Sequence, residues 1–185
     1  HTDWVTGLAV AEGRIMASAS YDGTLKLTPP LPPPPPPPRP NALATVAGHG
    51  DYVKCLTYAE QRGVLVTGGL DKRILLWDLQ RMSAPLMVLR GGDPLRVALR
   101  TGQVAAGPNE VLELCRQNKG SVHCVASAAD ASLVASGGTD RMIRLLDPRA
   151  GGGQAAKVCK LDGHGDNVRC VKIDEGGTRV VSSLS

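Results

Sequence analysis

The sequence is poor in the residues and patterns that many functional classes need. It has no phenylalanine, only two tryptophans and three tyrosines, so valine, leucine and alanine must fill any core. No apolar run approaches the roughly eighteen residues of a membrane-spanning helix, and no signal peptide is visible. The net charge is a mild +4 and the basic residues are scattered, so we do not expect nucleic-acid binding.

Cysteine is also used sparingly, and in a particular way. The five cysteines include no CxxC pair, which argues against a disulfide framework and against a zinc site. Three of them recur in similar triplets, Val53-Lys54-Cys55, Val122-His123-Cys124 and Val168-Arg169-Cys170. We expect these three to be small core residues in a reducing compartment, which places the protein inside the cell, in the cytoplasm, the nucleus or both.

The residues that are present are organised around the stretch 48–79, which reads GHGDYVKCLTYAEQRGVLVTGGLDKRILLWDL. It holds three short apolar runs, 52–59, 64–67 and 74–77, separated by turns rich in Gly and Asp. Runs of this length between such turns predict three β-strands.

The same pattern occurs four times, in copies that begin at positions 1, 49, 118 and 164. In the first three copies a Ser or Thr lies four residues before a turn aspartate, as the pairs Ser18 and Asp22, Thr67 and Asp71, Ser136 and Asp140. The fourth copy reaches Ser182, and its aspartate would fall one residue beyond the last. Because the chain also starts on a copy without an initiator Met, we expect it to be a piece of a longer protein.

These motifs resemble those of WD-repeat β-propellers. The resemblance implies a structural tetrad of buried, hydrogen-bonded side chains, His49, Thr67, Asp71 and Trp77. Only the second copy is complete: Thr28 and Leu146 replace the tryptophan in copies one and three, and Asn118 replaces the histidine in copy three. The predicted fold class is all-β, a partial propeller with about four blades of a larger ring, the last of them truncated.

The repeats divide the chain into six segments. They are a partial blade at 1–28, a proline-rich insertion and outer strand at 29–47, a complete blade at 48–79, an outer strand with a long inserted loop at 80–117, a blade at 118–163 and a truncated blade at 164–185.

The proline run at 32–38 cannot pair in a sheet, because proline lacks the backbone donor. It is expected to form a polyproline II rod, and Pro34, Pro37 and Arg39 fit the pattern of an SH3-type ligand. Such patterns arise in any proline run, so a low-complexity insertion or a gene-model artefact is the alternative.

No catalytic chemistry is indicated by the sequence. The four histidines lie in different repeat copies, no nucleophile stands beside a base at a recognisable spacing, and no glycine-rich phosphate loop precedes a helix. We therefore expect a protein that is not an enzyme and that has no metal, cofactor or small-molecule substrate.

A propeller instead offers a rigid face of loops to other proteins. Trp4 and Tyr52 share one repeat position, and Tyr21 and Leu70 share another. In WD-repeat families these positions lie on one face that contacts partners, and exposed Trp and Tyr dominate interface energetics. Packing between blades is the alternative for Trp4 and Tyr52. The basic residues Lys72, Arg73 and Arg141 follow the turn aspartates and are candidates for the rim of that face.

Several segments are also similar to one group within this family, the WD-repeat activators of ubiquitin-specific proteases. The similar segments are 1–5, 51–54 with 58–59, 69–72 with 74 and 76–78, 118–119, 147–149 and 161–168. This resemblance implies a non-catalytic scaffold that binds a ubiquitin-specific protease and raises its activity. Two alternatives are a generic WD-repeat scaffold and a substrate receptor of a cullin-type ubiquitin ligase, although the W-D-x-R motif of such receptors is incomplete at both 77–80 and 146–149.

Overall fold

The computed structural model describes residues 1–11, 15–28, 44–79, 111–113, 120–148 and 156–184. The prediction of an all-β fold is confirmed, because these residues form fourteen strands and one 3-10 turn, Glu60–Arg62. The candidate SH3 ligand of Pro34, Pro37 and Arg39 lies outside the described residues, as does the inserted loop at 80–110. In the part of the chain that is described, no helix is long and apolar enough to cross a membrane.

The strands form three four-stranded antiparallel sheets and one two-stranded sheet, which we call blades one to four. Blade one contains β1 (Val5–Ala11), β2 (Ile15–Ser20), β3 (Thr24–Thr28) and β4 (Ala44–Ala47). Blade two contains β5 (Val53–Ala59), β6 (Val64–Gly69), β7 (Ile74–Asp78) and β8 (Val111–Glu113). Blade three contains β9 (Val122–Ser127), β10 (Val134–Gly138), β11 (Ile143–Asp147) and β12 (Ala156–Leu161), and blade four contains β13 (Val168–Ile173) and β14 (Val180–Leu184).

The hydrophobic core lies between the blades. Successive side chains of a strand point to opposite faces of its sheet, so each blade can bury both faces against its neighbours. In blade two, Leu65 and Trp77 pack with residues of blade one, whereas Val66 and Ile74 pack with residues of blade three. A third cluster, which includes Ile143, joins blades three and four. This arrangement explains why each short meander needs the next one to fold.

Two glycines allow neighbouring blades to approach closely. A Cβ added at Gly68 would lie 2.5 Å from Cγ1 of Val122, and one added at Gly137 would lie 2.5 Å from Cγ1 of Val168. Contacts this short do not occur between real side-chain atoms. The repeated Gly at the end of the second strand therefore makes room for the first valine of the next blade.

The expectation that the three repeated cysteines are core residues is wrong for Cys170. Cys124 is buried, with its Sγ 3.6 Å from the carbonyl oxygen of Val168 in the next blade, and Cys55 is partly buried. Burial raises the pKa of the Cys55 thiol and raises that of Cys124 to about 12. Cys170 is exposed, because no described residue covers the face of blade four on which it lies.

Candidate functional site

The side chains of the predicted tetrad form one directional chain of hydrogen bonds. Trp77 Nε1 donates to Thr67 Oγ1 at 2.8 Å, and Thr67 Oγ1 in turn donates to His49 Nε2 at 2.8 Å. His49 Nδ1 donates to the Asp71 carboxylate at 2.9 Å. Because the carboxylate only accepts and the indole only donates, these partners fix the histidine as the Nδ1–H tautomer.

Asp71 is held as a carboxylate by this chain of bonds and by the turn around it. Its oxygens also accept from the backbone N–H groups of Gly50 at 3.0 Å and Arg73 at 3.1 Å. Burial by itself would raise the pKa of Asp71, but the hydrogen bonds from His49 and from the two backbone donors outweigh it and lower the pKa. The tetrad therefore ties the loop before β5 to the turn between β6 and β7.

Blades one and four contain parts of the same arrangement. In blade one, Ser18 Oγ and His1 Nε2 lie 2.7 Å apart, and His1 Nδ1 donates to Asp22 at 2.9 Å. In blade four, Ser182 Oγ and His164 Nε2 lie 2.7 Å apart. The missing tryptophan of blade one thus leaves the other three members bonded.

Blade three satisfies its turn aspartate in a different way. Arg144 Nη2 donates to Asp140 Oδ2 at 2.5 Å, and Arg144 is only 3% exposed. Arg144 occupies the position that Leu75 occupies in blade two, four residues after the aspartate. Ser136 Oγ is buried and has no hydrogen-bond partner among the described residues, and Asn118 lies outside them. The departure in copy three was predictable from the sequence, but the arginine that accompanies it was not predicted.

The predicted aromatic positions form a stacked row across blades one and two. The rings of Trp4 and Tyr21 lie 6.4 Å apart at 15°, and those of Tyr21 and Tyr52 lie 4.8 Å apart at 12°. Trp4 is 78% exposed and Tyr52 is 43% exposed. We call Trp4, Tyr21 and Tyr52 the aromatic row. It presents ring edges and faces to solvent at the boundary between two blades.

Lys54 fixes the central ring of the aromatic row. Its Nζ lies 4.2 Å from the centroid of the Tyr21 ring and also donates to the Tyr21 hydroxyl. A cation held over an aromatic face is attracted by the ring quadrupole. Because Lys54 belongs to blade two and Tyr21 to blade one, this contact joins the blades at the surface.

The remaining candidates lie in the turns between the second and third strands of blades two and three. Leu70 is partly buried and its N–H donates to the Tyr52 carbonyl at 2.9 Å. This bond connects the two candidate partner-binding positions of blade two. Arg73 is partly buried, while Lys72 is exposed. Arg141 is exposed, and its Nη1 lies 3.4 Å from the carbonyl oxygen of Gly165 in blade four.

Sequence reasoning missed a second row, made by a β-bulge that recurs in all four blades. The pairing of each first strand with the second shifts by one residue at Thr6, Lys54, His123 and Arg169. A bulge leaves its extra residue out of the ladder and redirects its side chain. We call Lys54, His123 and Arg169 the basic row. In the sequence these are the middle residues of the three cysteine triplets, which marks them as equivalent positions but not as bulges.

The comparison with known families accounts for the repeats. A family model described as WD domain, G-beta repeat, matches residues 1–28, 40–78, 109–147 and 155–185, which is more than half of the chain. The chain belongs to the WD-repeat family. Its sheets are those of a partial WD-repeat propeller, as the sequence predicted.

The matched WD repeats are offset by one strand from the blades. The second match begins before β4, which is the outer strand of blade one, and then continues through the first three strands of blade two. The second, third and fourth matched repeats therefore each complete one sheet and begin the next.

WD-repeat proteins generally act as non-catalytic scaffolds for other proteins. No cluster of His, Cys, Asp or Glu in the described ranges has the arrangement of a metal site.

Proposed function

We propose that this WD-repeat chain binds a ubiquitin-specific protease through the aromatic row and raises its activity. The family supports the coarser statement, a scaffold for protein interactions. The finer assignment draws on the segments at 1–5, 51–54, 69–72 and 161–168, which are similar to WD repeat-containing protein 48, an activator of such proteases. By the same resemblance the chain acts inside the cell and is not itself an enzyme.

The observation that carries the interaction surface is the stacking of Trp4 on Tyr21 and of Tyr21 on Tyr52. The two outer rings are exposed although aromatic residues are scarce in this chain. Stacked rings are already ordered, so a partner that covers them loses little side-chain entropy on binding. Large, rigid aromatic side chains are the residues that most often dominate interface energetics.

The turns beside the row extend the proposed surface. Leu70 connects to Tyr52 through its backbone, and Lys72, Arg73 and Arg141 supply positive charge. A partner with an apolar centre and acidic rim matches this composition.

The test is capture of a purified ubiquitin-specific protease by the immobilised 185-residue chain, followed by its rate on a fluorogenic ubiquitin substrate. We expect capture and a faster rate with the original chain and loss of both with Trp4→Ala combined with Tyr52→Ala. The matched control is Val181→Ala, which truncates another highly exposed side chain on blade four.

Three results would contradict the proposal. Capture of a cullin-ligase adaptor in place of the protease favours the substrate-receptor alternative. Capture of neither the protease nor the adaptor indicates a scaffold for a different complex. Equal loss in the aromatic variant and in the Val181 control removes the aromatic row from the interface.

A further inference from the structure

The first strands of the four blades lie side by side, in the order β1, β5, β9 and β13. Contacts beside the bulges join blade one to blade two and blade three to blade four. Thr6 Oγ1 donates to the carbonyl oxygen of Val53 at 2.6 Å, and Cys124 Sγ lies 3.6 Å from that of Val168. Val53 precedes Lys54 and Val168 precedes Arg169, so the bulged positions of the basic row lie on first strands that pack side by side.

The basic row has no acidic counterpart in the described part of the chain. No described carboxylate is hydrogen-bonded or ion-paired to Lys54, His123 or Arg169. The strands packed against β9 are β5, β6, β10 and β13. Apart from Lys54 and Arg169, the only charged side chain that they carry is Lys172, which is also basic. The basic row therefore carries two positive side chains and one protonatable side chain, and no described carboxylate is paired with them.

The pKa of His123 is sensitive to this positive charge. Its ring is half-buried, and its Nδ1 is buried with no hydrogen-bond partner among the described residues, so Nε2 is the accessible nitrogen. Desolvation, and then the positive charges of Arg169 and Lys54, lower the pKa of His123. An anion placed between these groups would reverse the electrostatic part of that effect.

We propose that the basic row binds an acidic, carboxylate-bearing segment of a polypeptide partner. Lys54 and Arg169 pair with its carboxylates, and His123 between them contributes charge once it is protonated. The row spans three blades and meets the aromatic row where Lys54 contacts Tyr21, so one extended segment can cover both. This inference rests on the proposed scaffold function and names the chemistry of the partner.

The first test measures binding of a fluorescent hexaglutamate peptide to the full chain, with hexaglutamine as the neutral peptide. We expect the glutamate peptide to bind and the neutral one not to. Lys54→Gln with Arg169→Gln should weaken binding roughly fivefold or more, since each exposed ion pair contributes modestly. Lys160→Gln with Arg179→Gln removes the same charge at exposed positions elsewhere and should change affinity by less than about twofold.

Three results overturn the assignment. They are no binding of hexaglutamate, equal weakening in the two double variants, and displacement of the peptide by low millimolar inorganic phosphate. Equal weakening indicates attraction by net charge alone, and displacement by phosphate indicates a site for small anions.

The second test follows the four histidines by NMR as the pH is changed. Hexaglutamate should raise the pKa of His123 and leave the ring chemical shifts of His164 unchanged. Arg169→Gln should raise the pKa of His123 in the free chain. If neither hexaglutamate nor Arg169→Gln changes the pKa of His123, the proposal is contradicted, even if the peptide binds.

The two proposals fail in different ways. If protease capture survives Lys54→Gln with Arg169→Gln but is lost with Trp4→Ala and Tyr52→Ala, the basic row is wrong and the scaffold function stands. If hexaglutamate binds the basic row but no protease is captured, the site stands and the protease assignment fails.

Discussion

Arg144 and Asp140 form a mostly buried ion pair in blade three, with Nη2 and Oδ2 2.5 Å apart. The equivalent aspartate of blade two, Asp71, accepts instead from His49. Two unrelated donors, an arginine from the third strand and a histidine from the preceding loop, thus satisfy the same turn position. The repeat preserves a partner for the carboxylate and not one particular residue.

Arg144→Leu restores the residue type found in blade two but should destabilise the chain. It leaves the Asp140 carboxylate without its guanidinium partner in a mostly buried site, at a cost of about 3 kcal/mol. The free energy of unfolding in urea measures this loss. In the double variant Arg144→Leu with Asp140→Asn the charge is gone, so much of the stability should return. Equal instability of the single and double variants would show that packing of the arginine, and not its charge, matters.

Thr67→Val should remove the centre of the tetrad without changing its shape. The Trp77 indole N–H and the His49 Nε2 each lose a partner in a buried site, which should cost about 2 kcal/mol. Thr57→Val on the neighbouring strand, where the side chain is partly buried, is the control and should change stability by less than about 0.5 kcal/mol. Thermal unfolding of both variants measures the difference, and similar melting temperatures would show that the tetrad contributes little.

Lys72→Gly should stabilise the turn between β6 and β7. Lys72 has a φ of 67°, in the left-handed region that non-glycine residues avoid, and the equivalent residue in blade one is Gly23 with a φ of 76°. We expect a gain of about 0.5–1 kcal/mol for Lys72→Gly and a loss of about 1 kcal/mol for Gly23→Ala. Lys72→Ala is the matched control, since it removes the side chain but keeps the strain. A gain with alanine as large as that with glycine would assign the effect to the lysine charge.

Stability should fall in acid because of two turn aspartates. The pKa of Asp71 is lowered, as described above, and that of Asp22 is lowered because hydrogen bonds from Thr24 and Thr2 outweigh burial. A carboxyl whose folded pKa lies below the unfolded value of 3.8 stabilises the fold above that value, and the stabilisation is lost as the pH falls through the folded pKa. Unfolding free energies measured from pH 5 downwards should therefore decrease below about pH 4. In Asp71→Asn this decrease should be smaller, and an unchanged slope would exclude Asp71 as a contributor.

The sequence alone determined the repeat, the all-β fold and the residues that form the tetrad. The repeat and the fold class depend on local alternation and on fixed spacings within one copy, such as the four residues from Thr67 to Asp71. Such patterns can be recognised without knowing which residues pack against them. The members of the tetrad, Trp77 and His49 among them, were identifiable through the resemblance to WD-repeat propellers.

Contacts between copies were decided only by the tertiary structure. Cys124 and Cys170 occupy the same repeat position, yet one is buried and the other exposed, because burial depends on what the adjacent blade places against it. Tyr21 stacks between Trp4 and Tyr52 only because blades one and two meet there. Bulges that redirect Lys54 and its counterparts are set by the pairing register of two strands, and a single strand's sequence does not encode that register.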